Sequence, residues 1–160
     1  MVCYIYFKIN GRELMINEDD CEDVKILTRW KRWRKLTIHV YPNTYKHICV
    51  GKKKMYLHRI TYYAYNQDWD IYDSSKDNKI DHINNTPSDC NINNLRIVTA
   101  RQNCYNQKTT KGYDWCKIMK KWRARIRIEG KETRLGYYST EEEARESYLT
   151  AKLKYHVIIK

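Results

Sequence analysis

Proline and glycine are scarce, two and five in 160 residues, which excludes collagen-like and low-complexity chains. No two of the six cysteines, at 3, 21, 49, 90, 104 and 116, form a Cys-x-x-Cys pair, and the five histidines, at 39, 47, 58, 82 and 156, supply no finger spacing. Structural zinc is therefore not expected, and the thiols are expected to stay reduced. Long apolar runs are missing as well. Met1 to Phe7 is the longest, well short of the roughly 18 residues a spanning helix needs, and it lacks the basic flank of a signal peptide. A soluble, intracellular protein with no membrane partner is the expectation. Negative charge is also in short supply: 31 basic side chains face 19 acidic ones, a formal charge of +12, which points to polyanionic partners. Apolar residues make up 42% and tyrosine contributes 15 positions, enough for a folded core. The length suits one ordinary domain or two small ones, at about 100–200 residues per domain.

Apolar stretches from Cys3 to Ile9 and from Leu14 to Ile16 flank Asn10-Gly11, the strongest two-residue hairpin signal. Asn17 to Leu27 predicts a short helix with acidic residues in its first turn. In Thr28 to Leu36, basic residues surround Trp30 and Trp33, a pattern that fits either a DNA-contacting segment or tryptophans packed inward. Leu36, Ile38 and Val40 alternate as in a strand, Pro42-Asn43 turns the chain, Tyr45 to Val50 is extended, and Met55 to Tyr65 reads as a strand end and a helix. Further on, Lys79 to Ile83 and Leu95 to Val98 predict strands, and Thr99 caps a helix over Ala100 to Gln107.

The run from Ile80 to Asn106, IDHINNTPSDCNINNLRIVTARQNCYN, resembles the His-Asn-Asn motif of HNH endonucleases of the phage and intron homing type. Leu57-His58-Arg59-Ile60 is similar to the segment that precedes that motif. The resemblance implies a ββα-metal (His-Me finger) nuclease module, with His82 as general base, Asp81 and Asn103 holding one Mg²⁺ or Mn²⁺, and Asn94 tying the loop that orients His82. Asn106, one helical turn from Asn103, rivals it for the third motif position. The chemistry agrees in kind: phosphodiester hydrolysis needs a base, for which a neutral imidazole is suited, and a hard cation, which oxygen ligands favour. Arg59, Arg101 and Lys108 are candidate phosphate contacts. His58 reads as structural, and His39, His47 and His156 carry no signal.

In Trp122 to Ile128 arginines alternate with apolar residues, so Arg123, Arg125 and Arg127 share one strand face, and a returning strand brings Arg134 beside them. Ser139 with Glu142 predicts a capping box, and Ala144, Tyr148, Ala151 and Tyr155 recur at helical spacing. Residues 111–137 hold nine basic and three acidic side chains, whereas residues 138–156 hold three basic and four acidic ones. The segment from Lys111-Gly112-Tyr113 through Leu135-Gly136-Tyr137 to Ala144 resembles the DNA-binding domain of plant ethylene-responsive factors, the APETALA-two type. That likeness implies a three-stranded antiparallel sheet packed on one helix. It places Arg125, Arg127 and Arg134 towards bases, and Lys111, Lys117, Lys120, Lys121, Arg123 and Lys131 towards phosphates. Asp114 and Cys116 stand where plant members carry arginine.

The sequence therefore predicts an α+β protein with a nuclease module over 1–107 and a DNA-reading module over 111–156. The expected function is metal-dependent endonucleolytic cleavage of double-stranded DNA, in the cytoplasm or nucleus of a host cell if the chain is viral. The alternatives are a non-catalytic sequence-specific DNA-binding regulator and an RNA-binding structural protein. Monomer and homodimer are equally compatible with the sequence.

Overall fold

The computed structural model describes residues 2–40, 45–107 and 111–158, and the expected turn at Pro42-Asn43 lies outside them. The chain forms two compact units, Met1–Ala100 and Arg101–Lys160, so the division falls within the helix that follows Thr99.

The first unit opens with β1 (Tyr4–Ile9) and β2 (Arg12–Asn17), paired antiparallel with Ile9 opposite Arg12. Asn10 and Gly11 between them have φ of 51° and 71°, the left-handed pair that a tight hairpin turn requires. Next come β3 (Val24–Leu27) and β4 (Trp33–Lys35), which complete a four-stranded sheet in the order β1-β2-β3-β4. A short helix does not form over Asn17 to Leu27. Asn17 and Asp20 instead accept the amides of Asp19 and Glu22, local turns that compete with a helix. Phe7, Ile9, Leu14, Ile16, Val24, Ile26 and Leu36 make one buried face. It is closed by α1 (Leu57–Tyr65), reached through the hairpin β5 (His47–Val50) and β6 (Lys53–Tyr56). Leu57, Ile60, Thr61 and Ala64 recur at the spacing of a single helix face, and all are buried.

A polar strap then leads to β7 (Lys79–His82), which pairs antiparallel with β8 (Leu95–Val98). Buried Asn78 fixes the strap by donating to the carbonyls of Asp70 and Asp73, both at 3.1 Å, and by accepting the indole N–H of Trp69. The backbone amide of Ala100 donates to the carbonyl of Lys76 at 2.6 Å.

Beyond β8 lies α2 (Ala100–Tyr105), followed in the second unit by β9 (Tyr113–Cys116), β10 (Lys121–Ile128), β11 (Lys131–Tyr138) and α3 (Glu141–Tyr155). The three strands form an antiparallel sheet in the order β11-β10-β9, and α3 packs on it. The capping box sits one residue later than the sequence suggests. Thr140 accepts the amide of Glu143 at 3.2 Å, and Glu143 accepts the amides of Ser139 and Thr140. Ala144, Tyr148 and Ala151 are buried, whereas Tyr155 is exposed.

The expected fold class is corrected by this architecture. Among the described residues the chain is mostly strand, with eleven strands in four small sheets and three α-helices, and no ββα-metal module forms. The reason is local. α2 is only six residues long and buries none of them, so it has no apolar face with which to close a strand pair into a module. No helix among the described residues is long and apolar enough to cross a membrane.

Candidate functional site

Asp81 and His82 end β7, and both are buried. Cross-strand register places Asp81 opposite Arg96, whose Nε and Nη2 both donate to Asp81 Oδ2, at 2.9 and 2.8 Å. Two guanidinium donors on one carboxylate oxygen make a short, charge-assisted pair, and sequence reasoning missed this partner. The strand register that pairs residue 80 with 97 would have revealed it.

The His82 ring is enclosed by residues distant in sequence. Tyr45 stacks on it at 5.6 Å between centroids, and His58 meets it edge-on at 5.2 Å. Burial pushes the His82 pKa below its ordinary value, while the charges of Asp81 and Asp89 oppose the shift. The imidazole is therefore neutral at pH 7, the protonation state a proton acceptor needs. Asn94 holds the loop behind this strand end. Its amide donates to Asn84 Oδ1 and to the Asp89 carbonyl, and its Oδ1 accepts the Asn84 amide at 2.9 Å. Asn103 lies half-buried on α2 in the second unit.

The phosphate candidates divide. Arg59 is committed internally: its Nη2 donates to the carbonyls of Ile71 and Asp73 at 2.7 and 2.9 Å, and its guanidinium lies over Trp69. Arg101 is exposed in the second unit. Lys108 lies outside the described residues.

His58 is half of the ring cluster and has its own consequence. It is enclosed by Tyr45 and Tyr56 at 4.8 and 5.7 Å, and burial, followed by the charges of His82 and Arg59, pushes its pKa down from 6.5 to about 3. Below pH 6.5 the unfolded chain takes up a proton that the folded chain refuses. The stabilisation is thus complete above 6.5 and is lost progressively towards pH 3, at about 1.4 kcal/mol per unit. His58→Phe is expected to remove this dependence. Between pH 6.5 and 5 its loss of stability in urea melts should be smaller than that of the unaltered chain by about 2 kcal/mol.

In the second unit Lys111, Lys117, Lys120, Lys121, Arg127, Lys131 and Arg134 are exposed. Arg134 stands opposite Arg125. The arginine strand carries its own counter-ions: Arg123 pairs with Asp114 at 2.7 Å, and Arg125 pairs with Asp114 at 3.3 Å and Glu132 at 3.2 Å. Alternation along one strand could not show this, because both carboxylates come from the flanking strands.

Among the described residues no group of three or more His, Cys, Asp or Glu side chains could hold a metal ion. Asp81 suits a hard cation in kind, as an oxygen donor, although Arg96 competes for its carboxylate.

No protein-family model matches the chain, and no solved structure matches it. It is similar to Protein 3.8 of Escherichia phage T7, with 35% identity over 60 residues, covering 33% of this chain and 50% of that protein. The chain thus spans about half the length of the curated relative it matches. A phage origin is compatible with that similarity.

Proposed function

We propose that the chain is a metal-dependent endonuclease acting on double-stranded DNA, with His82 as the base that takes a proton from the attacking water. The observation that carries the reading is the buried His82 imidazole, enclosed by the Tyr45 and His58 rings and pushed by burial below its ordinary pKa. Its support in sequence is the likeness of residues 80–106 to the His-Asn-Asn motif, together with a net charge of +12 suited to a polyanionic substrate.

Asp81 would hold one Mg²⁺ or Mn²⁺, completed by water and substrate phosphate. When bound, such an ion supplies a Lewis acid for the charge that develops on the phosphate. Arg96 neutralises the Asp81 carboxylate in its absence and keeps that group in place beside His82. The exposed lysines and arginines of β10, β11 and the segments on either side of β9 hold the duplex, with Arg127 and Arg134 offered to base edges. Paired Arg123 and Arg125 reach DNA only on release from Asp114 and Glu132.

Incubation of supercoiled plasmid with the protein is expected to yield nicked circles with Mg²⁺ or Mn²⁺, and excess chelator should stop the reaction. Duplex binding without nicking under every divalent ion would leave a DNA-binding regulator instead.

A further inference from the structure

We propose that the first unit carries a nucleic-acid backbone clamp of its own, formed by Arg12, Arg29 and Arg34 at one end of the four-stranded sheet. The sheet register explains how these residues meet. Leu14 stands opposite Ile26, and Ile26 opposite Arg34, so all three side chains share the inward face. Two residues further along β2 and past β3, on the same face, come Arg12 and Thr28. The face that buries Leu14, Ile16, Val24 and Ile26 thus ends in guanidinium groups.

These groups line one cleft of about 520 Å³ together with Thr28 and Gly51. Gly51, at φ 65°, turns β5 into β6. A Cβ placed there would lie 3.4 Å from Arg12 Nε and Nη2, so the glycine sets bare backbone against the guanidinium. Among the described residues no carboxylate lines the cleft. Among the same residues Arg12, Arg29 and Arg34 form no ion pair, whereas Arg96, Arg123 and Arg125 all do. Three like charges that converge without a counter-ion are suited to an anion from outside the chain.

The guanidinium fork matches phosphate oxygens in particular. Beside the cleft, the Arg29 guanidinium lies 4.3 Å from the centre of the Trp30 ring, which is 70% exposed. Exposed Lys31 and Arg32 continue the positive edge. A cationic cleft flanked by an open aromatic face fits a sugar-phosphate chain better than an isolated phosphate. The clamp involves neither His82 nor the carboxy-terminal sheet, and it requires no cleavage.

The test is the salt dependence of binding of the full chain to a short fluorescein-labelled duplex, read by anisotropy. Removing one arginine–phosphate interaction lowers the slope of log K against log salt by about 0.9. R12Q/R29Q/R34Q is expected to lower it by about 2.7, and R12K/R29K/R34K to preserve it. Arg29→Gln alone, at an exposed position outside the buried core, should lower it by about 0.9, a reduction that misfolding would not explain. Unchanged slopes in both glutamine variants overturn the clamp, and so does a wild-type chain that binds inorganic tripolyphosphate but not the duplex. Lowered slopes without plasmid nicking would overturn the nuclease and leave the clamp standing. Nicking with unchanged slopes would do the reverse.

Discussion

His82→Ala is expected to slow plasmid nicking by about 10²–10⁴-fold, the usual contribution of a positioned general base, while duplex affinity stays unchanged. Burial holds the imidazole pKa below 6.5 against the pull of Asp81 and Asp89, so the lone pair is available throughout the neutral range. The nicking rate should accordingly decline with a midpoint below pH 6.5, where the ring takes up a proton. His82→Gln, which retains a polar group but cannot cycle a proton, should be as slow as His82→Ala. An unchanged near-ultraviolet circular dichroism spectrum would show that the Tyr45 and His58 rings still pack around the vacated position. Wild-type nicking by a folded His82→Ala protein would end the role assigned to this residue.

Local signals were legible where a short segment determines its own conformation. Asn10-Gly11 specifies its turn through two left-handed residues, and α1 and α3 show their buried faces at helical spacing. The signals failed where side chains compete with a helix for the backbone: Asn17 and Asp20 cap turns, not a helix. They also failed where a partner arrives through tertiary structure. Asp81 and His82 stand at the end of a strand the sequence located, yet the Arg96 clamp depends on register, and the ring cage brings together positions 45, 58 and 82. The ββα-metal module was inferred from a motif spacing that leaves the burial of its helix unspecified, and α2 buries nothing.

The two basic surfaces differ in a way that charge counts alone conceal. On β10 the arginines nearest the middle of the sheet are neutralised by Asp114 and Glu132, so an incoming phosphate must compete with carboxylates already in place. At the Arg12, Arg29 and Arg34 cleft no such competition exists among the described residues. A phosphate therefore meets no carboxylate at the cleft, whereas at Arg123 and Arg125 it has to displace one.

Gly112→Ala is expected to cost the second unit about 3 kcal/mol or more, at the upper end of what overpacking does. A Cβ at Gly112 would lie 2.0 Å from Tyr148 Cδ2 and Cε2, so the ring or the backbone has to move. Neither can do so easily. Tyr148 packs with Ile126 and Ala151 in the small core between α3 and the sheet, and the Gly112 carbonyl accepts the Arg125 amide at 2.8 Å, which fixes the strand edge. Thermal melts followed at a tyrosine and tryptophan signal should show the transition of the second unit at much lower temperature in Gly112→Ala. Adding Tyr148→Leu, which removes the clashing ring atoms, should recover part of the loss. A Gly112→Ala protein that melts like the unaltered chain would mean that Tyr148 does not lie against Gly112, and the packing of α3 on this sheet would have to be redrawn.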